Sequence, residues 1–141
     1  TKKELGKGIP GISYNLRHNN YVLIDRSNPK QAIPMIKSLA EQIEKENRSA
    51  VIFPEGTRSK TGIPNEFAES GLKILCKYAP SAYIVPITIN NSWKVYQYGY
   101  FPLSVGHHLI FTVHPPLKVS DYPFAEVLEK TKNTIIEGIK V

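Results

Sequence analysis

Arg26, Glu55, Gly56, Thr57 and Arg58 are the residues whose types and spacing best suit chemistry in this chain. A guanidinium presents a planar fork of N–H donors, so two of them on one rim suit a phosphate or carboxylate held by bidentate pairs. Gly56 lets the backbone approach a ligand closely. Thr57 adds a hydroxyl, and Glu55 can accept a hydrogen bond from a ligand alcohol. The implied partner is a small, phosphorylated, hydroxyl-bearing molecule. Each feature alone has a plainer reading. Asp25-Arg26 could be a surface ion pair worth little, and Glu55-Gly56-Thr57-Arg58 a tight turn with a capping threonine. Their joint placement favours the ligand.

That placement rests on the elements around them. Residues 20–25 read as a short apolar strand ending directly in Arg26. Ser27, Asn28 and Pro29 form a helix-start signature. Ile33, Ile36, Leu39, Ala40 and Ile43 then recur at helical spacing, with the end near Asn47. Pro34 weakens the first turn, so the regular helix can begin there instead. Residues 49–53 read as a second buried strand, and 54–65, rich in Gly, Pro, Ser and Thr, as a loop. A helix of crossover length between two strands makes them parallel, with their C-terminal ends on one edge. Ligands of open α/β sheets bind outside that edge, which puts Arg26 and Arg58 on one rim.

Further along, 66–78 reads as a helix and 83–89 as a strand whose Pro86 implies an edge position or a bulge. Residues 109–113 give a fourth strand and 124–141 a C-terminal amphipathic helix. The order β-α-β-α-β-β-α predicts an α/β class: a mainly parallel sheet flanked by helices. The 141 residues suit one domain over 1–141, opening with a basic, Gly-rich lead-in at 1–12.

Composition narrows the partners without choosing one. Eighteen basic residues against 12 acidic give a formal charge of +6, which attracts nucleic acid, anionic lipid headgroups or phosphorylated substrates alike. Hydrophobic residues make up 41%, enough for a core, and the single Cys76 excludes an internal disulfide framework. No apolar run reaches the roughly 20 residues that span a bilayer.

Phe53-Pro54-Glu55-Gly56-Thr57-Arg58-Ser59 closely resembles the third sequence block of the PlsC-like glycerolipid acyltransferases, the lysophosphatidic acid acyltransferases among them. Tyr21-Val22-Leu23-Ile24-Asp25-Arg26 resembles the second block, and Tyr83-Ile84-Val85-Pro86-Ile87 the fourth, in family order. The resemblance runs from about Gly11 to Lys118. It implies transfer of a fatty acyl group from acyl-CoA or acyl-carrier protein to a lysophosphatidic-acid-like acceptor in phospholipid biosynthesis, with no further cofactor and no metal. Arg26 and Arg58 would take the acceptor's phosphate. Glu55, Gly56 and Thr57 would position its glycerol backbone, and the strand around Pro86 would support the acyl side. It also implies work at the cytoplasmic face of a membrane, against an anionic surface, either peripherally or through an N-terminal anchor.

Attack of an alcohol on a thioester needs a base, commonly a histidine oriented by a carboxylate. The family's device is His-x4-Asp, placed before the second block. Five residues after His18, His107, His108 and His114 stand Leu23, Thr112, Val113 and Val119, so the dyad is absent from this chain. It is expected upstream of Thr1; the alternative is a non-catalytic module that binds phospholipid or a phosphorylated ligand. With the upstream part removed, the chain alone is expected to be inactive and poorly soluble. A second departure is Phe67-Ala68-Glu69-Ser70-Gly71, where relatives often carry Phe-Lys-x-Gly.

Other features carry less. Gly6-Lys7-Gly8-Ile9-Pro10-Gly11 matches Gly-x-Gly-x-x-Gly without a leading strand, and a dinucleotide site is not expected. His107, His108 and His114 have no second ligand cluster and read as strand histidines rather than metal ligands. Cys76 reads as a small buried hydrophobe. Residues 93–101 hold five aromatics, one lysine and no acid, which suits contact with a lipid interface or cover for a sheet edge. Nucleic acid is not an expected partner, since no Lys/Arg face accompanies these aromatics.

Overall fold

The computed structural model describes residues 14, 29–57, 59–99 and 103–140. The expected strand at 20–25 with Arg26, and Arg58 with them, lie outside the described residues. The chain divides into two compact units, Thr1–Ala50 with Lys73–Pro80, and Val51–Leu72 with Ser81–Val141.

In the first unit, helix α1 spans Pro29–Glu46. It begins at Pro29, where a proline's missing N–H is no loss, and not at Pro34. Pro34 sits inside it and removes the hydrogen bond that would reach the Lys30 carbonyl. Asn47 ends the helix in the left-handed region at φ 52°, a conformation asparagine tolerates at this position. Helix α2 spans Glu69–Tyr78, and its residues from Lys73 onward belong to this unit. Leu75 in its C-terminal half is buried, as are Ala79 just beyond it and Ala40 of α1. The Lys37 ammonium lies 4.8 Å from the centre of the Tyr78 ring.

Two predicted boundaries move for visible reasons. Helix α2 starts three residues later than expected, because the Ala68 amide donates instead to the Pro54 carbonyl at 2.8 Å and keeps Glu66 and Phe67 in the loop. The run 49–53 is no strand and is not buried: Val51 is 81% and Phe53 69% exposed. β-propensity makes a strand only where a neighbouring strand supplies ladder hydrogen bonds, and among the described residues none pairs with this run.

The second unit holds the strands. β1 (Tyr83–Ile84) pairs with β4 (Leu117–Lys118), and β2 (Ile87–Asn90) with β3 (Ile110–Val113). Both ladders are antiparallel, so the expected mainly parallel sheet is not found among the described strands. The strands that would have been parallel are the undescribed 20–25 and the unpaired 49–53. Of those that do pair, β2 and β3 are consecutive strands, and β4 follows β3 back alongside β1, so each ladder is an antiparallel return.

Pro86 behaves as its type requires. The register joins Ile87 to Val113 and Ile84 to Leu117, so Val85 and Pro86 face His114, Pro115 and Pro116. Two residues against three is a bulge, placed where none of three prolines can donate to a ladder. The Pro86 carbonyl still accepts from the His114 amide at 3.0 Å.

Helix α3 (Phe124–Glu137) lies against β2. Val127 and Thr131 on the helix, Thr88 and Asn90 on the strand, and Val119 before the helix are buried there. The seam is polar. Thr88 Oγ1 donates to the Ile135 carbonyl at 3.0 Å and contacts His114 Nε2 at 2.8 Å. Asn90 Nδ2 donates to the Gly138 carbonyl, and Asn90 Oδ1 accepts from the Lys140 amide, both at 2.9 Å. The opposite face of the ladder is apolar and open, with Phe111 61% and Val113 67% exposed.

Candidate functional site

Glu55, Gly56 and Thr57 stand together at one tight turn. Pro54 presets φ for its second position, the Gly56 amide donates to the Phe53 carbonyl at 3.0 Å, and Gly56 takes φ +67°. An L side chain rarely adopts that φ, so the glycine is required by conformation. The Thr57 amide then donates to the Glu55 carbonyl at 2.7 Å. Thr57 is exposed, while Glu55 and Gly56 are half-buried.

The turn heads a longer loop that closes on itself. The Ala68 amide binds the Pro54 carbonyl at its base. Ser59 Oγ accepts from the amides of Thr61 at 3.2 Å and Gly62 at 2.9 Å, a local hydroxyl turn. Glu55 Oε2 accepts from the Asn65 amide at 2.8 Å and from Asn65 Nδ2 at 3.3 Å. The Glu55 carboxylate, expected to meet a ligand alcohol, is thus oriented by Asn65. The sequence reading missed Asn65, and no local pattern joins positions ten apart in a loop.

Nor does the sequence pattern foresee the contact that Trp93 makes. A short 3-10 helix, Ser92–Tyr96, follows β2 and carries Trp93 onto Gly62. A Cβ at Gly62 would lie 2.5 Å from Trp93 Nε1 and 2.9 Å from its Cδ1, and Gly62 has φ +88°. The indole therefore packs against the loop at Gly62. Tyr98, by contrast, is 70% exposed.

The histidines are engaged elsewhere. His107 Nε2 lies 2.7 Å from Ser104 Oγ, which accepts from Gln97 Nε2 at 3.2 Å. His114 belongs to the α3 seam. His107 and His108 precede β3 instead of lying on it, because pairing begins only at Ile110. Among the described residues no group of His, Cys, Asp and Glu could hold a metal ion. Burial pushes the Cys76 thiol up, which keeps it protonated and poorly nucleophilic at neutral pH.

What the loop can do is hold a polar ligand. It offers a backbone that approaches closely at Gly56, a hydroxyl at Thr57 and a carboxylate oriented at Glu55. It holds no evident base for attacking a thioester.

Comparison with known proteins bears on the same residues. The Acyltransferase family model matches residues 1–90, which include the whole 53–68 loop. A 1-acyl-sn-glycerol-3-phosphate acyltransferase of Helicobacter pylori is 37% identical over 96 residues, covering 68% of this chain and 39% of its own length. One from Cocos nucifera is 60% identical over 43 residues, 30% of this chain and 14% of that protein. The crystal structure of PlsC, the 1-acyl-sn-glycerophosphate acyltransferase of Thermotoga maritima, matches with a TM-score of 0.77 at 24% identity. It covers 98% of this chain and 53% of that one, and so shows the fold. The chain spans about half or less of the length of these relatives. With the family model laid across the 53–68 loop and relatives of one name matching most of the chain, the chain belongs to the PlsC-like acyltransferase family.

Proposed function

We propose that this chain carries the acceptor-binding part of an enzyme that moves a fatty acyl group from acyl-CoA or acyl-carrier protein to a lysophosphatidic-acid-like acceptor. The observation that carries the reading is the self-tied 53–68 loop, which presents Glu55, Gly56 and Thr57 in the family's third block. Arg26 and Arg58 pair with the acceptor's phosphate, and the loop holds its glycerol portion. The acceptor hydroxyl attacks the thioester carbon, the C–O bond forms, the C–S bond breaks, and the proton ends on the leaving thiol. The base that relays that proton is a His-x4-Asp pair outside this chain. The acyl group comes from the thioester substrate, so the transfer asks for no bound cofactor or metal.

The place of work we propose is the cytoplasmic face of a membrane. No described helix is long and apolar enough to cross one. Residues 92–109 contain no Asp or Glu, carry Lys94 and expose Tyr98, Leu103 and Val105, a composition suited to an anionic interface. A second reading, a binding-only module, draws on the absence of His-x4-Asp among these 141 residues.

Thioester consumption by the full-length protein, on lysophosphatidic acid in anionic or zwitterionic vesicles, tests all three. Turnover is expected, faster on anionic vesicles. Arg58→Ala should lower kcat/KM by about 100-fold, mostly through acceptor KM, since a charge-assisted bidentate pair is lost. Phospholipid binding without turnover on either donor would establish the binding module instead. Equal rates on the two vesicle types would overturn the anionic interface.

A further inference from the structure

The structure assigns Trp93 as the positioning residue of the acceptor loop, acting through Gly62; this rests on the acceptor-binding reading above. Several hydrogen bonds among the described residues tie the loop to itself: Pro54 to Ala68, Glu55 to Asn65, Ser59 to Thr61 and Gly62. Such ties set the loop's shape without fixing where that shape stands relative to the sheet. Trp93 supplies the outside brace.

Three observations make it a stiff one. The 3-10 helix bearing Trp93 follows β2 after one residue, Asn91, which turns the chain at φ 65°. Asn91 Nδ2 donates to the His108 carbonyl at 3.0 Å, and the Asn91 carbonyl accepts from the Lys94 amide at 3.1 Å. The indole is thereby carried on the end of a paired strand. At the other end, the contact is closer than any side chain would permit, because a Cβ on Gly62 would stand 2.5 Å from Trp93 Nε1. Gly62 is required twice over, by its φ of +88° and by this approach. A flat ring on a bare Cα transmits position well, since neither partner has a rotamer with which to yield without losing the contact. Displacing reacting groups by about 1 Å can cost on the order of 100-fold in rate, so a brace of this kind bears on turnover without touching the acceptor.

The experiment measures acyl transfer and amide hydrogen exchange on the full-length protein and its Trp93→Ala, Trp93→Phe, Gly62→Ala and Trp93→Ala/Gly62→Ala variants. Trp93→Ala should raise acceptor KM about tenfold, leave the thioester KM near its wild-type value, and speed exchange at the Gly62 and Asn65 amides. Trp93→Phe keeps a flat ring and should restore most of both. Gly62→Ala should resemble Trp93→Ala, and the double variant should lose less than the two single losses combined, because the clash disappears with the ring. Additive losses, or equal rises in both KM values, would overturn the brace. Unchanged exchange at Gly62 and Asn65 would overturn it even if the protein proved to turn over no acyl thioester. Brace-like exchange without turnover would sink the acceptor reading alone.

Discussion

The 53–68 loop and the seam between β2 and α3 are both held by side-chain hydrogen bonds to backbone, yet they use them differently. The loop's bonds run between exposed or half-exposed groups: Glu55 to Asn65, Ser59 to Gly62. Water can replace such bonds, and each adds little to stability. The seam's bonds join groups removed from water, with Thr88 1% and Asn90 4% exposed. Breaking one there strands a buried donor or acceptor. The same chemistry therefore shapes a ligand surface in one place and specifies how a helix sits on a strand in the other. Substitutions in the loop should register in acceptor KM, and substitutions in the seam in unfolding free energy.

The sharpest break in that contrast is Gly138→Ala. Gly138 has an ordinary helical φ of −75°, where alanine would be favoured on backbone grounds by up to about 1 kcal/mol. The added Cβ would stand 2.6 Å from Thr88 Oγ1 and 2.9 Å from His114 Nε2. Thr88 cannot swing aside without giving up the Ile135 carbonyl and the His114 ring. Overpacking and lost hydrogen bonds outweigh the backbone gain, for a net loss of about 2 kcal/mol in a urea titration. Acceptor KM should hold in the folded fraction. A stability gain would mean the seam yields freely, and the contrast with the loop would go with it.

Asn65→Ala probes the other side. Both of its bonds to Glu55 lie at the surface, so stability should move by less than about 0.5 kcal/mol. Acceptor KM should rise by about threefold to tenfold as the Glu55 carboxylate loses its orientation. A stability loss matching that of Gly138→Ala, with KM unmoved, would show that the loop is a structural element like the seam.

How far the sequence carried differs between the same two regions. The turn at Glu55, Gly56 and Thr57 was legible, because Pro and Gly at fixed offsets dictate it. Its surroundings were not: Asn65 meets Glu55, and Trp93 meets Gly62 farther along the loop, through folded geometry that no period encodes. Helix α1 was legible from Ile33, Ile36, Leu39, Ala40 and Ile43, and the bulge from Pro86. β4 was missed, since two residues between prolines and a turn leave no alternation to detect. The parallel sheet was inferred from a crossover between 20–25 and 49–53. The second of these has apolar residues and no ladder, and apolar character alone does not supply pairing. The seam was invisible for a different reason. Thr88 and Asn90 look like the solvent face of an alternating strand, yet they are the buried face, and Ile87, Phe111 and Val113 are the exposed one.

Thr131→Val tests that inverted seam at its smallest scale. Thr131 is 6% exposed on the inner face of α3, and its Oγ1 is buried with no hydrogen-bond partner among the described residues. A hydroxyl in that position has given up water without compensation, and valine replaces it with a methyl of nearly the same size. The β-branch is retained, so helix propensity hardly changes. The removed desolvation penalty should appear as a gain of about 0.5–1 kcal/mol, a rise of a few degrees in Tm. The same substitution at Thr88, equally buried but bonded to the Ile135 carbonyl, should lose stability instead. Opposite signs at two threonines of one seam would show that satisfaction of the hydroxyl, not its burial, decides the outcome. A loss at Thr131 comparable to that at Thr88 would mean that its hydroxyl has a partner after all, and the seam would then be fully bonded.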